Sequence, residues 1–146
     1  MKNRISIKEL EPEAYKAMLT VEEYTKHTDV SPILKELIKM RASQINGCAF
    51  CLDMHTEDAI SLGETPRRIF LLAAWKECHL FTEEEKAVLQ LTEEMTLISK
   101  KGVTDETYEK VISLFGEKRT AQMMMLIVQI NSWNRISVST RAIYKP

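Results

Sequence analysis

Two thiols stand three residues apart at Cys48 and Cys51, an imidazole follows four later at His55, and a carboxylate precedes them at Glu36. If a helix begins near Cys48, the two thiols and the imidazole fall at i, i+3 and i+7 on one face. Thiol redox chemistry needs such a set, because the thiolate is the attacking species and the thiol must be eased toward ionisation. A helix N-terminus places partial positive charge at Cys48. His55 lies one turn beyond Cys51, close enough to take its proton directly or through water. Glu36, on a preceding helix, can orient His55 as a third group orients the base in other nucleophile–base systems. In this scheme Cys51 attacks a peroxide oxygen and becomes a sulfenic acid. Cys48 then condenses with it to a disulfide, and a dithiol reductant restores both thiols.

The same residue types allow other chemistry. Cys48, Cys51 and His55, with Glu36 or His79 as a fourth ligand, could hold zinc, although structural zinc sites usually draw ligands from separate segments. A Cys-x-x-Cys pair alone can also be two small buried hydrophobes. Cys78, beside His79, has nothing to position it relative to the pair and reads as incidental. His27 reads as solvated near a helix end, and Glu83-Glu84-Glu85 as a helix start. Trp75 and Trp133 read as core or interface rather than as a substrate platform. Tyr24 is a candidate for the pocket border that the sequence alone does not place. The run Met123-Met124-Met125 reads as packing.

The elements that must position these groups are helical. Glycine is scarce, alternating strand patterns are hard to find, and helix punctuation is plentiful. An N-terminal helix is expected around Glu11 to Lys26. Ser31-Pro32 reads as an N-cap followed by proline at the first helical position. From there Ile33, Leu34, Leu37, Ile38, Met40, Ala42 and Ile45 mark an apolar face to about Asn46-Gly47, the turn that would bring two helices together. A second helix is expected from near Cys48 to Leu62, closed by Gly63. Thr65-Pro66 opens a third, apolar through Ile69, Phe70, Leu71, Leu72, Ala73, Ala74 and Trp75. Thr82 with Glu85 forms a capping box, opening a helix to about Ser99. Thr104 starts a short helix ending near Phe115-Gly116. A long last helix follows, with Ala121, Met124, Met125, Val128, Ile130 and Trp133 expected to be buried. It is nearly apolar all round from Met123 to Ile130, which favours a subunit contact. The expectation is an all-α domain of about six or seven helices spanning 1–146, without linker or repeat.

Composition sets the remaining bounds. A formal net charge of -1 gives no electrostatic case for nucleic acid or an anionic membrane. No apolar run approaches the roughly 20 residues of a membrane span. Met1-Lys2-Asn3-Arg4-Ile5 lacks the apolar core of a secretory signal, so a cytoplasmic location is expected. Three cysteines do not make a disulfide scaffold, and close thiols in a reducing compartment suggest catalysis or metal binding.

Glu36, eleven intervening residues, then Cys48-x-x-Cys51-x-x-x-His55 resembles the signature of the alkylhydroperoxidase D-like, carboxymuconolactone decarboxylase superfamily. The similarity extends over Arg41 to His55, and to Trp75-Lys76-Glu77, Leu80-Phe81-Thr82 and Asn131-Ser132-Trp133-Asn134-Arg135. The resemblance implies an all-helical fold, commonly a homotrimer or homohexamer. It implies a peroxidase in which Cys51 is oxidised to sulfenic acid, Cys48 is proton donor and resolving thiol, and Glu36 and His55 form the proton relay. The substrate it implies is a small-molecule peroxide, and in the relatives the reductant is a lipoyl-bearing adaptor or a peroxiredoxin partner, so a dithiol or lipoyl-type reductant is one candidate here; no cofactor and no bound metal are expected. The best-known peroxidases of the superfamily are somewhat longer and carry a histidine where this chain has Phe50. Decarboxylase members lack the paired cysteines, so both thiols argue against a lyase.

Overall fold

Side-chain caps set the helix starts, and the computed structural model, which describes residues 4–145, shows each of the expected ones. Ser31 Oγ accepts from the Leu34 N–H at 3.4 Å, and Thr65 Oγ1 from the Arg68 N–H at 3.3 Å. Thr82 and Glu85 satisfy each other's backbone N–H groups at 3.2 and 2.8 Å. Each such cap pairs a donor that the first helical turn would otherwise leave without a partner.

The chain runs α1 (Ile7–Leu10), α2 (Pro12–Lys26), α3 (Pro32–Asn46), α4 (Ala49–Ser61) and α5 (Pro66–Leu71), then a 3₁₀ stretch, Leu72–Glu77. It continues as α6 (Glu83–Thr96), α7 (Ile98–Lys101) and α8 (Asp105–Thr140), with no strand among the described residues. The single-turn helices α1 and α7 are additions to the expected set. The expected stop near Phe115-Gly116 is present as a break inside α8, where Gly116 takes φ 75° and ψ 167°. No helix among the described residues is long and apolar enough to cross a membrane. Met1 to Asn3, part of the N-terminal segment used to judge a secretory leader, lie outside the described residues.

α3 lies at the centre, packed against α4, α6 and α8. Leu37, Ile38, Leu72, Val88, Leu89, Leu91, Met123, Leu126 and Ile127 form the main core. Every residue from Leu34 to Met40 is buried, so the charged members of that run need partners within the fold. Lys35 donates to the carbonyl oxygens of Lys26 (2.9 Å) and Thr28 (3.4 Å). Glu36 and Lys39 pair with each other at 2.9 Å.

Three expectations about packing are corrected. The third helix does not stay regular or uniformly apolar inside. It tightens and bends at Ala74, burying Leu72 and Trp75 while Phe70 is left 79% exposed. α6 stops at Thr96 because Leu97 leaves helical geometry before α7. In α8 the helical period turns Ala121, Met125 and Val128 outward, and Gln122 and Gln129 take buried places instead. Their amides are satisfied, Gln122 Oε1 by the Asp29 N–H (3.2 Å) and Gln129 Nε2 by the Met18 carbonyl (2.9 Å).

Candidate active site

Gly47 ends α3 in the left-handed region at φ 66°, a conformation glycine adopts without penalty, so the chain can reverse within two residues. Cys48 is consequently the N-cap of α4, and its Sγ accepts from the Cys51 N–H at 3.3 Å. The Cα atoms of Cys48 and Cys51 are 5.4 Å apart and the sulfurs are joined as a disulfide. Behind the turn, Asn46 Nδ2 donates to the side-chain oxygens of Asn131 (3.0 Å) and Asn134 (2.9 Å). Asn134, fully buried, donates in turn to Ser43 Oγ at 2.9 Å. This amide cluster ties the cysteine turn to α8.

His55 and Glu36 are both buried, and His55 Nδ1 lies 2.8 Å from Glu36 Oε2. The other carboxylate oxygen, Oε1, accepts from Lys39 Nζ at 2.9 Å. Lys39 Nζ is also 3.9 Å from Glu22 Oε1, and Glu22 Oε2 accepts from the indole N–H of Trp133 at 3.0 Å. Exposed Asp58 approaches His55 Nδ1 at 3.7 Å. Burial pushes the Glu36 carboxyl upward, but the hydrogen bond with His55 and the Lys39 charge outweigh it and hold it below the ordinary carboxylate range.

These groups share one cavity of about 470 Å³. Its polar lining includes Glu22, Lys26, Glu36, Lys39, Cys51, His55, Asp58 and Ser137, while Tyr15, Leu19, Phe50, Met54 and Trp133 supply aromatic and apolar walls. Cys51 therefore faces the cavity. Cys48 is not part of the lining and packs with Ala42, Ile130 and Phe50. A larger groove of about 680 Å³, lined by residues including Arg4, Ile7, Arg135 and Ile136, has no thiol, imidazole or carboxylate in its lining.

The four residues singled out from sequence thus meet at one place. Trp133 departs from its expected role: it is half-buried against Tyr15, ring centroids 5.3 Å apart, and forms cavity wall. Lys39 and Glu22 were not anticipated as site residues. Lys39 had a signal available, since it lies one turn from Glu36 on the same helix, whereas Glu22 arrives through tertiary packing of α2. Tyr24 is not in the cavity lining. Cys78 is a buried free thiol in the main core, apart from the Cys48–Cys51 cluster, and His79 is exposed. His27 caps α2 in solvent beside Glu23, and Glu83 to Glu85 form the first turn of α6.

A cation is conceivable only at Glu36, His55 and Asp58, whose ligand atoms lie within 4.8 Å of one another among the described residues. Both Glu36 oxygens already have partners there, one of them an ammonium, which disfavours a second positive charge. A buried cysteine pair with Cys51 on a cavity wall that also holds a carboxylate-bound imidazole is chemically suited to two-electron oxidation and disulfide closure.

Comparison with known proteins places this geometry among relatives. The family model described as "Carboxymuconolactone decarboxylase family" matches residues 12–94. The uncharacterised protein YdfG of Bacillus subtilis is 49% identical over 139 residues, 95% of each chain. A crystal structure from Agrobacterium tumefaciens, of a protein of unknown function considered a candidate antioxidant defence protein AhpD, superposes with TM-score 0.95 at 35% identity over 99% of both chains. An uncharacterised peroxidase-related protein from a Silicibacter species shares the fold at TM-score 0.80 and 19% identity, over 91% of this chain and 71% of that one.

Proposed function

This chain belongs to the carboxymuconolactone decarboxylase family, a family that includes enzymes, and from that premise we propose that it is a thiol peroxidase. The observation that carries the proposal is the position of Cys51, on the cavity wall one helical turn from His55, with Cys48 at disulfide distance behind it.

In the reduced protein His55 takes the Cys51 proton, and Glu36 stabilises the imidazolium that results. The thiolate attacks one oxygen of the peroxide. An S–O bond forms, the O–O bond breaks, and the departing alkoxide takes the proton from His55 to leave as an alcohol. Cys51 is now a sulfenic acid. Cys48 attacks the Cys51 sulfur, water leaves, and the disulfide forms. A dithiol reductant of lipoyl type would return both thiols by exchange. The apolar walls favour an organic hydroperoxide as substrate. Homotrimeric or homohexameric assembly belongs to the same proposal, supported by the outward apolar stripe of Ala121, Met125 and Val128 on α8.

The test is hydroperoxide consumption by purified protein with dihydrolipoamide as reductant, comparing wild type with Cys51→Ser. Turnover present in the first and lost in the second supports the proposal. Equal turnover in both would overturn it.

A further inference from the structure

The buried ammonium of Lys39 has no part in the thiol chemistry just described, yet it sits in the polar lining of the same cavity. An ammonium is costly to bury and is retained at such a place only with good partners. A hydrophobic side chain of similar length could fill the volume without that cost, so packing alone does not account for it. We propose that Lys39 is a positioning residue whose charge keeps Glu36 ionised, so that His55 holds its proton on Nδ1 and offers Nε2 as the base to Cys51. This rests on the peroxidase proposal only for its consequence in turnover. The relay itself is a matter of thiol reactivity.

The argument is geometric. Glu36 has two oxygens, and each has one close partner: Oε2 meets His55 Nδ1 at 2.8 Å and Oε1 meets Lys39 Nζ at 2.9 Å. While Glu36 is ionised, it can only accept, so the Nδ1 proton stays between them and Nε2 keeps its lone pair. If Glu36 takes a proton, it can donate to Nδ1 instead. The imidazole proton then moves to Nε2, which no longer has a lone pair with which to take the Cys51 proton. Burial favours that protonated state, and Lys39 opposes it.

The surroundings hold little else that could substitute. From α2, Glu22 faces Lys39 at 3.9 Å and Lys26 reaches the cavity lining. On α3, Lys35 is committed to the carbonyls of Lys26 and Thr28. From α4, Asp58 approaches His55, and α8 contributes Trp133 and Ser137, neither charged. Lys39 is thus the only lysine or arginine within hydrogen-bonding distance of Glu36 among the described residues. Removing it raises the proton affinity of Glu36, which then loses the ammonium 2.9 Å from its Oε1.

The test measures the rate at which iodoacetamide alkylates Cys51 in fully reduced protein from pH 5 to 10 (roughly the range over which perturbed thiols titrate), located by peptide mass. In Lys39→Met the rise of rate with pH should move upward by about one unit. Alkylation near neutral pH would then be about tenfold slower and approach the wild-type rate at the alkaline end. Lys39→Arg should restore the wild-type profile. If Lys39→Met does not fold, Lys39→Gln carries the same expectation, since it can donate a hydrogen bond without charge. A profile that superimposes on wild type, or a loss equal at every pH, would overturn the proposal. Hydroperoxide turnover run in parallel separates the two ideas. A shifted profile without wild-type turnover would sink the peroxidase alone, and turnover with an unshifted profile would sink Lys39 alone.

Discussion

Glu36 on α3 and His55 on α4 meet at 2.8 Å in a buried contact, nineteen residues apart in the chain. Replacing Glu36 by glutamine keeps the shape and removes the charge. Glu36→Gln should lower kcat/KM for an organic hydroperoxide about 100-fold, the lower end of what a positioned acid–base group contributes. It should also lower stability, because Lys39 loses its buried counter-charge. Steady-state kinetics below the variant's melting range, beside a urea titration, would check both.

The two cysteines should fail differently. Cys51 faces the cavity and Cys48 does not. Cys51→Ser should abolish turnover, whereas Cys48→Ser should still react once with peroxide and accumulate a sulfenic acid that dimedone captures at Cys51. If Cys48→Ser cycled at the wild-type rate, its resolving role would be wrong.

Acid should destabilise the fold within a defined window. In Glu36, Glu93 and Glu94 burial pushes the carboxyl upward, but hydrogen bonds from His55, Trp75 and the Thr104 backbone, among others, hold each below its ordinary value of 4.5. A carboxylate whose folded pKa is depressed contributes stability above its unfolded pKa and loses it as pH falls through the folded one. Stability should therefore be insensitive to these groups above about pH 5 and decline below pH 4.5. Urea midpoints measured from pH 7 downward test this, and a decline already complete by pH 6 would contradict it.

Much of this was legible because it is local. Caps at Ser31, Thr65, Thr82 and Thr104 act within one turn, and the spacing of Cys48, Cys51 and His55 fixes their common face once α4 starts where it does. What the sequence did not disclose depends on which neighbour arrives. Trp133 becomes cavity wall because Tyr15 and Glu22 of α2 pack beside it. Met125 and Val128 are apolar in type but lie on the side of α8 that no described element covers, so hydropathy alone misplaced them. Phe70 is exposed because the chain tightens after α5, a backbone change without a proline or glycine to mark it.

Gly116 interrupts α8 at φ 75° and ψ 167°, a region open essentially to glycine alone. An added Cβ would meet nothing within 4 Å, so the cost of substitution is one of backbone conformation rather than collision. Gly116→Ala should lose about 1–3 kcal/mol of stability. Thermal unfolding would show it as a lower midpoint with Cys51 reactivity unchanged.

The most direct measurement is a single turnover. Reduced wild-type protein would be mixed with one equivalent of cumene hydroperoxide, and free thiols and protein mass followed together. The account predicts that Cys48 and Cys51 disappear in step, that the protein loses the mass of two hydrogens, and that Cys78 remains free. Intact Cys48 and Cys51 thiols beside unconsumed hydroperoxide would contradict it.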